Sequence, residues 1–350
     1  NTDGGATVAG ISVTSTRQYL AETLNLAAEI LKEPAFPQDE FDKTKTQRLA
    51  LLENQRTDPQ AIALREMQQA FSKAKKGDFR YVPTLDEEIA YVKAVTLEEV
   101  KKFHKEFYGA SNAQLSIVGD FDEKEITPVI NQLFGNWKSP KPYTRIPQEF
   151  YDVPVVKKSF ETPDKPNAVI FARQNIKMND ANPDYPALVL GNFIFGGGFL
   201  NSRLATRLRQ KEGFSYSVAS GFSASSLDEV GSFTAQAIYA PENGEKLEKA
   251  FYEELNKVLT EGFNEAELKE AKQGWLLGRQ RIRGNDASLR SSLVNYLFLN
   301  RTYAWDDEME KKVQALTLEQ VNSAFKKYIN PEKMSVFKAG DFAKVKAVAK

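Results

Sequence analysis

The strongest constraint on this chain is that it repeats itself. Thr96–Phe121 aligns with Thr317–Phe342 without a gap, at a constant offset of 221 residues (317 − 96). Thr96/Thr317, Leu97/Leu318, Glu98/Glu319, Val100/Val321, Lys105/Lys326, Gly119/Gly340, Asp120/Asp341 and Phe121/Phe342 are identical. Earlier in each copy, Phe36, Glu40 and Lys45 match Phe263, Glu267 and Lys272 at an offset of 227 (263 − 36), and Gly5 matches Gly231 at 226 (231 − 5). Two copies of one supersecondary order are therefore expected: strand, three helices, a capped helix, then a strand. With 350 residues there is room for two such units. About 80 residues, 150–230, precede the Gly231 strand of the second copy, whereas almost nothing precedes the Gly5 strand of the first. The first copy is accordingly expected to be truncated.

Periodicity fills in the elements. Ala6–Val13 alternates like a strand, and Leu20, Leu24, Ala27 and Leu31 recur at helical spacing. Helical patterns follow at 39–56, 59–74 and 84–92. Thr96-Leu-Glu-Glu99 is a capping box opening a helix to about Tyr108, and it recurs as Thr317-Leu-Glu-Gln320. Ala113–Val118 reads as a buried strand and Glu123–Phe134 as a helix. Residues 138–166 hold Pro140, Pro142, Pro147, Pro154, Pro163 and Pro166, the densest proline stretch in the chain. The expected division is a first domain over 1–140, a proline-rich linker or edge strand over 141–166, and a second domain over 167–350. Within the second, strands are expected at 167–172, 215–222, 232–239 and 334–339. Helices are expected at 183–195, 202–211, 244–260, 265–283, 287–300, 306–314 and 318–328.

Composition narrows the chemistry. Cysteine is absent, which removes disulfides, thiolate metal sites and thiol nucleophiles. The one histidine, His104, cannot by itself make a two-histidine metal site. It falls on the helix opened by Thr96, where a helix-surface or core-edge role is expected. The 47 basic and 47 acidic residues cancel, so no electrostatic footprint for nucleic acid or an anionic membrane exists. No apolar run has the roughly 18–20 residues that a membrane-spanning helix needs. The paired carboxylates Glu253/Glu254 and Asp306/Asp307 sit in lysine-rich helical patterns and read as solvated faces.

The most distinctive stretch runs from Gly196 to Val218. The run Gly196-Gly197-Gly198 lacks the Lys-Ser/Thr of a phosphate loop and follows a helical pattern rather than a strand. Its glycines are expected to permit positive φ and the close approach of another backbone, either a packed helix or an extended peptide. Further on, a basic helix end passes through Gly213 into a strand carrying Tyr216. Cations in a last helical turn suit the helix dipole. Arg209 and Tyr216 would also lie near each other across the turn, presenting a guanidinium and a phenol to a peptide carbonyl or an oxyanion.

Gly-Gly-Gly-x-Leu-x-Ser-Arg-Leu-x-x-x-Leu-Arg-x-Lys-x-Gly-x-Ser-Tyr-Ser-Val, here Gly196–Val218, resembles the second-domain signature of the pitrilysin/insulinase-type zinc metallopeptidases. Phe36-Pro-Gln-Asp-Glu40-Phe and Val118-Gly-Asp-Phe121 resemble recurring elements of the same domains, so the resemblance covers essentially the whole chain. It implies an α+β fold of two related α/β units, each a mixed, mostly antiparallel sheet with helices packed mainly on one face. Active members carry an inverted H-x-x-E-H zinc motif, which this sequence lacks. The resemblance thus implies the non-catalytic half of a zinc metalloendopeptidase. Such a half closes the chamber and binds extended peptide by strand addition. Arg209 and Tyr216 match the substrate-holding pair of that half. No catalytic residue, metal ligand or cofactor is expected in this chain itself. Zinc is expected in a catalytic half, on the same parent chain or a partner subunit, and family habit points to the periplasm. Two alternatives stand beside this: a structural scaffold subunit without peptidase role, and a catalytic half whose zinc motif was removed by truncation.

Overall fold

The computed structural model describes residues 1–5 and 7–348, so Ala6 of the expected first strand and the last two residues of the expected second domain lie outside the described residues. In chain order the elements are β1 (Thr2–Gly4), β2 (Ala9–Ile11), α1 (Leu20–Lys32), α2 (Gln38–Asn54), α3 (Pro59–Ala70), α4 (Leu85–Ala94), α5 (Leu97–Phe107) and α6 (Glu123–Phe134). Then come β3 (Lys157–Glu161), β4 (Ala168–Ile176), α7 (Tyr185–Asn192), β5 (Ser215–Ala224), β6 (Gly231–Tyr239), α8 (Gly244–Glu261) and α9 (Glu265–Arg283). The last are α10 (Asp286–Phe298), α11 (Ala304–Ala315), α12 (Leu318–Tyr328), β7 (Ser335–Gly340) and α13 (Phe342–Val348). They group into two compact units. The first is Asn1–Glu53, Leu85–Ile146 and Asn285–Phe298; the second is Asn54–Thr84, Pro147–Gly284 and Leu299–Lys350.

The helix starts follow from local chemistry. Thr96 accepts from Glu99 N–H while the Glu99 carboxylate accepts from Thr96 N–H at 2.8 Å, closing the box that opens α5. Thr317 and Gln320 do the same for α12. Asn264 and Glu267 form a third box, at the start of α9. Asp58 caps α3 through Ala61 N–H, with Pro59 in the first turn, where its missing N–H costs nothing. The lysines aligned by the repeat make the same bond: Lys45 Nζ donates to Val95 C=O at 2.8 Å, and Lys272 Nζ to Leu316 C=O at 2.6 Å.

The second unit is built on a five-stranded mixed sheet of order β3-β7-β4-β6-β5. Only the β3–β7 pair is parallel. β4 sits at the centre and is buried on both sides, so its sequence Ala-Val-Ile-Phe-Ala reads as a continuous apolar run. Ile170 and Ala172 face the main core, with Phe233, Ala235, Leu247, Phe251, Val321 and Phe325 from β6, α8 and α12. Val169 and Phe171 face a smaller core with Phe337 of β7 and with Ala63 and Met67 of α3. Most helices thus cover one face, as expected for this α+β fold. β3 emerges inside the proline-rich stretch, where the chain can join only an edge.

The first unit pairs α1 with α6, and Lys32 Nζ donates to Leu133 C=O at 3.0 Å. Two expectations fail here. The strand read over 6–13 shrinks to β2, paired antiparallel with β1. The strand read over Ala113–Val118 does not form: the segment has no regular secondary structure and belongs to no sheet. An apolar alternating segment becomes a strand only if another strand lies beside it, and none of the described residues does.

The Gly196–Val218 segment and the free edge of β5

After α7 the helical winding loosens. Phe193–Gly197 and Ala205–Lys211 are π-helical turns rather than the α-helix expected over 202–211. Such wide turns recur at functional sites. The glycine run does not adopt positive φ, contrary to expectation; Gly213 does, at 65°. What Gly196 provides is proximity. A Cβ there would lie 2.4 Å from Ser220 Oγ and 2.6 Å from Ser220 N on β5, so only glycine fits. Ser220 Oγ also donates to Asn192 Oδ1 at 2.8 Å, lashing the end of α7 to β5. The backbone that Gly196 approaches is thus a strand of the same unit, while Gly197 and Gly198 lie against Asn192 and Phe193 of the preceding turn.

Leu204 and Leu208 are fully buried and anchor the second π-helical turn in the main core. That rotation leaves Arg209 exposed. Gly213 in the left-handed region then lets Phe214 N–H reach back to Leu208 C=O at 2.9 Å and turns the chain into β5. Tyr216 is the extra residue of a β-bulge: Ser215 pairs with Tyr239 and Ser217 with Ile238, leaving Tyr216 without an opposite partner. Ser215 Oγ lies 2.7 Å from Ser217 C=O and 2.9 Å from Ile238 C=O, which clips the bulge in place. Bulges re-aim side chains, and Tyr216 is 62% exposed. β5 is also an edge strand, with β6 on one side and no described strand on the other.

The cations of this segment divide into two kinds. Arg203 is committed: it grips Glu267 at 2.6 and 2.8 Å, donates to Gly262 C=O at 3.0 Å, and lies over the Phe263 ring. Arg207 is paired with Glu212 and Glu253. Arg209 and Lys211 have no hydrogen bond or ion pair with a described residue, and neither does the Tyr216 hydroxyl. Burial alone would raise the Glu267 carboxyl, but the Arg203 bonds and the Asn264 N–H outweigh it and hold it below the usual carboxylate range.

The solvated-face reading of the carboxylate pairs fails at two positions. Glu254 is largely buried beside Arg203. Asp306 is 2% exposed and paired with Arg279. Their partners come from helices distant in sequence, so helical pattern alone could not find them. His104 lies in the first unit, half-buried, its Nε2 2.7 Å from Leu31 C=O and its ring against Phe36 and Tyr108. It ties α5 to the end of α1. Among the described residues no three acidic or histidine side chains converge to hold a metal ion, and a chain with one histidine does not fit the donor set of an H-x-x-E-H zinc site. No helix of the described residues is long and apolar enough to cross a membrane.

Residues 94–274, just over half of the chain, match the family described as the peptidase M16 inactive domain. The chain belongs to that family. Its curated relatives include a "non-peptidase homolog YmxG" of Helicobacter pylori, 23% identical over 315 residues, covering 89% of this chain and 70% of the relative. An "uncharacterized zinc protease" of Rickettsia felis is 26% identical over 314 residues, covering 89% and 67%. Among solved structures, a peptidase M16 inactive domain from Pseudomonas fluorescens superposes with a TM-score of 0.76 at 27% identity, over 91% of this chain and 74% of that one. This M16 chain is therefore an inactive-type domain related to zinc proteases, with a mixed α/β architecture.

Proposed function

We propose that this M16 chain is the substrate-holding, non-catalytic half of a zinc metalloendopeptidase. The observation that carries the reading is the outer edge of β5, which opens on a bulge-presented Tyr216 a few residues after the exposed Arg209. An extended peptide adds to that edge through main-chain hydrogen bonds, which bind without demanding a particular sequence. At the start of the edge the Arg209 guanidinium and the Tyr216 hydroxyl donate to a peptide carbonyl and fix its position along the strand. Zinc and the attacking water belong to a catalytic half, on the same polypeptide or another, and this half closes the chamber over the substrate.

Fluorescence anisotropy with a labelled extended peptide tests the reading. One donor to a carbonyl is worth about 0.5–1.5 kcal/mol net. Tyr216→Phe or Arg209→Ala should therefore weaken binding roughly 2- to 12-fold with the melting temperature unchanged. Unchanged affinity in both variants would remove the assignment. The chain alone should show no peptide hydrolysis; chelator-sensitive cleavage by it would instead make it a catalytic half. The name of the Helicobacter relative favours a second reading, a structural scaffold with no peptidase role. That reading is supported if peptides do not bind the β5 edge at all.

A further inference from the structure

Arg173 stands apart from the other half-buried cations of the second unit. Arg203, Arg279 and Arg301 each grip a carboxylate, that of Glu267, Asp306 and Asp180 respectively. Arg173, half-buried on β4, has no carboxylate among the described residues. Its Nε is shielded from solvent and donates to no described residue. Its Nη2 reaches only Asn175 Oδ1, at the long distance of 3.5 Å. A partly desolvated cation is seldom left without a counter-charge, because nothing offsets its lost hydration. Burial pushes the Arg173 guanidinium below the usual arginine range. Burial acts on Arg203 in the same direction, but Glu267 and Glu254 outweigh it there.

The surroundings of Arg173 are neutral or cationic. Its cross-strand neighbours are Thr234 on β6 and Ser335 on β7. The Thr234 hydroxyl donates to Gly221 C=O, and Ser335 Oγ accepts from Val156 N–H. The guanidinium carbon lies 4.7 Å from the centre of the Phe71 ring, just after α3. Tyr151 adjoins both residues: its hydroxyl donates to Phe71 C=O, and its own C=O accepts from Asn175. A second cation, Lys73 Nζ, sits 4.2 Å over the Tyr151 ring and ion-pairs with no described residue. Of the acidic residues on the same segments, Glu66 of α3 pairs with Lys158, and Asp152 with Lys333.

We infer that Arg173 and Lys73, gathered around Phe71 and Tyr151, form a receptor for a peptide carboxylate, carried on an acidic side chain or at the C-terminus. A guanidinium laid over an aromatic ring presents a planar fork that matches a planar carboxylate. The rings shield both cations from water, where a charge-assisted bond gains more than at an open surface. Arg173 is on the central strand, with β6 between it and β5, so this site does not depend on strand addition at the β5 edge.

Isothermal titration calorimetry on the whole 350-residue chain tests this with three short peptides of one sequence. One is blocked at both ends with a central glutamate, one is blocked with glutamine in its place, and one has that glutamine and a free C-terminus. The glutamate peptide or the free C-terminus should bind about tenfold or more tightly than the blocked neutral peptide, and whichever does identifies the source of the carboxylate. Arg173→Met keeps apolar packing on Phe71 and removes the charge. It should abolish the preference without lowering the melting temperature, since it orphans no counter-charge. Arg173→Lys should restore only part of the preference, because it lacks the fork. Lys73→Ala should weaken it, and Arg209→Ala should leave it intact. Equal binding of all three peptides would overturn the inference. So would a preference that Arg173→Met keeps or that Arg209→Ala removes, inorganic phosphate binding as tightly as the preferred peptide, or a lower melting temperature in Arg173→Met, which would make the cation a part of the fold.

Discussion

At the residue scale, the segment from Gly196 to Tyr216 shows how much a single backbone requirement can carry. Gly196 brings a helical turn against β5, and any side chain there meets Ser220 backbone as well as its hydroxyl. Gly196→Ala should destabilise the second unit by about 1–3 kcal/mol, the usual cost of overpacking. Thermal or urea unfolding measures it, and an unshifted midpoint would show that the strand simply gives way. The sequence displayed this glycine and the Gly213 stop plainly. It also displayed Arg209 and Tyr216. It did not display which of the nearby cations are spoken for. Arg203 and Arg207 look like Arg209 in sequence, and carboxylates of α8 and α9, 46 to 64 residues later, separate them.

At the scale of elements, caps and periodicity were legible because they are local. The boxes of α5 and α12 lie within four residues, and the apolar spacing of each helix within two turns. Removing the Thr317 hydroxyl leaves Gln320 N–H without its cap, so Thr317→Ala should cost about 1 kcal/mol, read as a shifted chemical-denaturation midpoint with unchanged slope. Strands were less legible. Ala113–Val118 stands at the repeat position of β7 and alternates as a strand would, yet it is unpaired while β7 is paired on both sides. A strand's existence depends on a partner that its own residues do not specify. The same holds for the bulge at Tyr216, which exists because Ser215 and Ser217 keep register with Tyr239 and Ile238 of β6.

At the scale of the whole molecule, the second unit is held by ion pairs as well as by its core. Glu267 is kept ionised chiefly by Arg203 against the opposing effect of burial, and Asp184 by the ammonium of Lys327, helped by the Tyr328 hydroxyl. Both carboxyls bind protons more weakly when folded than when unfolded. Their stabilisation is therefore fully present above the unfolded carboxylate value of about 4, and it is lost as pH falls through the lower folded values. The melting temperature should stay level from neutral pH to about 5 and drop below it, with Glu267→Gln flattening part of that drop. A melting temperature indifferent to pH between 5 and 3 would show that these pairs contribute nothing.

The sequence by itself determined the capping boxes, the glycine positions and the lack of an H-x-x-E-H zinc motif in this chain, since each is written in contiguous residues or in a count. Only the tertiary structure decided that Tyr216 stands out on a bulge, that β5 is an edge strand, that Arg209 has no described partner, and that Asp306 is buried and Glu254 partly so. Those properties belong to pairs of segments far apart in the chain. Pairing, burial and charge neutralisation are set by what packs against a residue, and no local pattern names that neighbour.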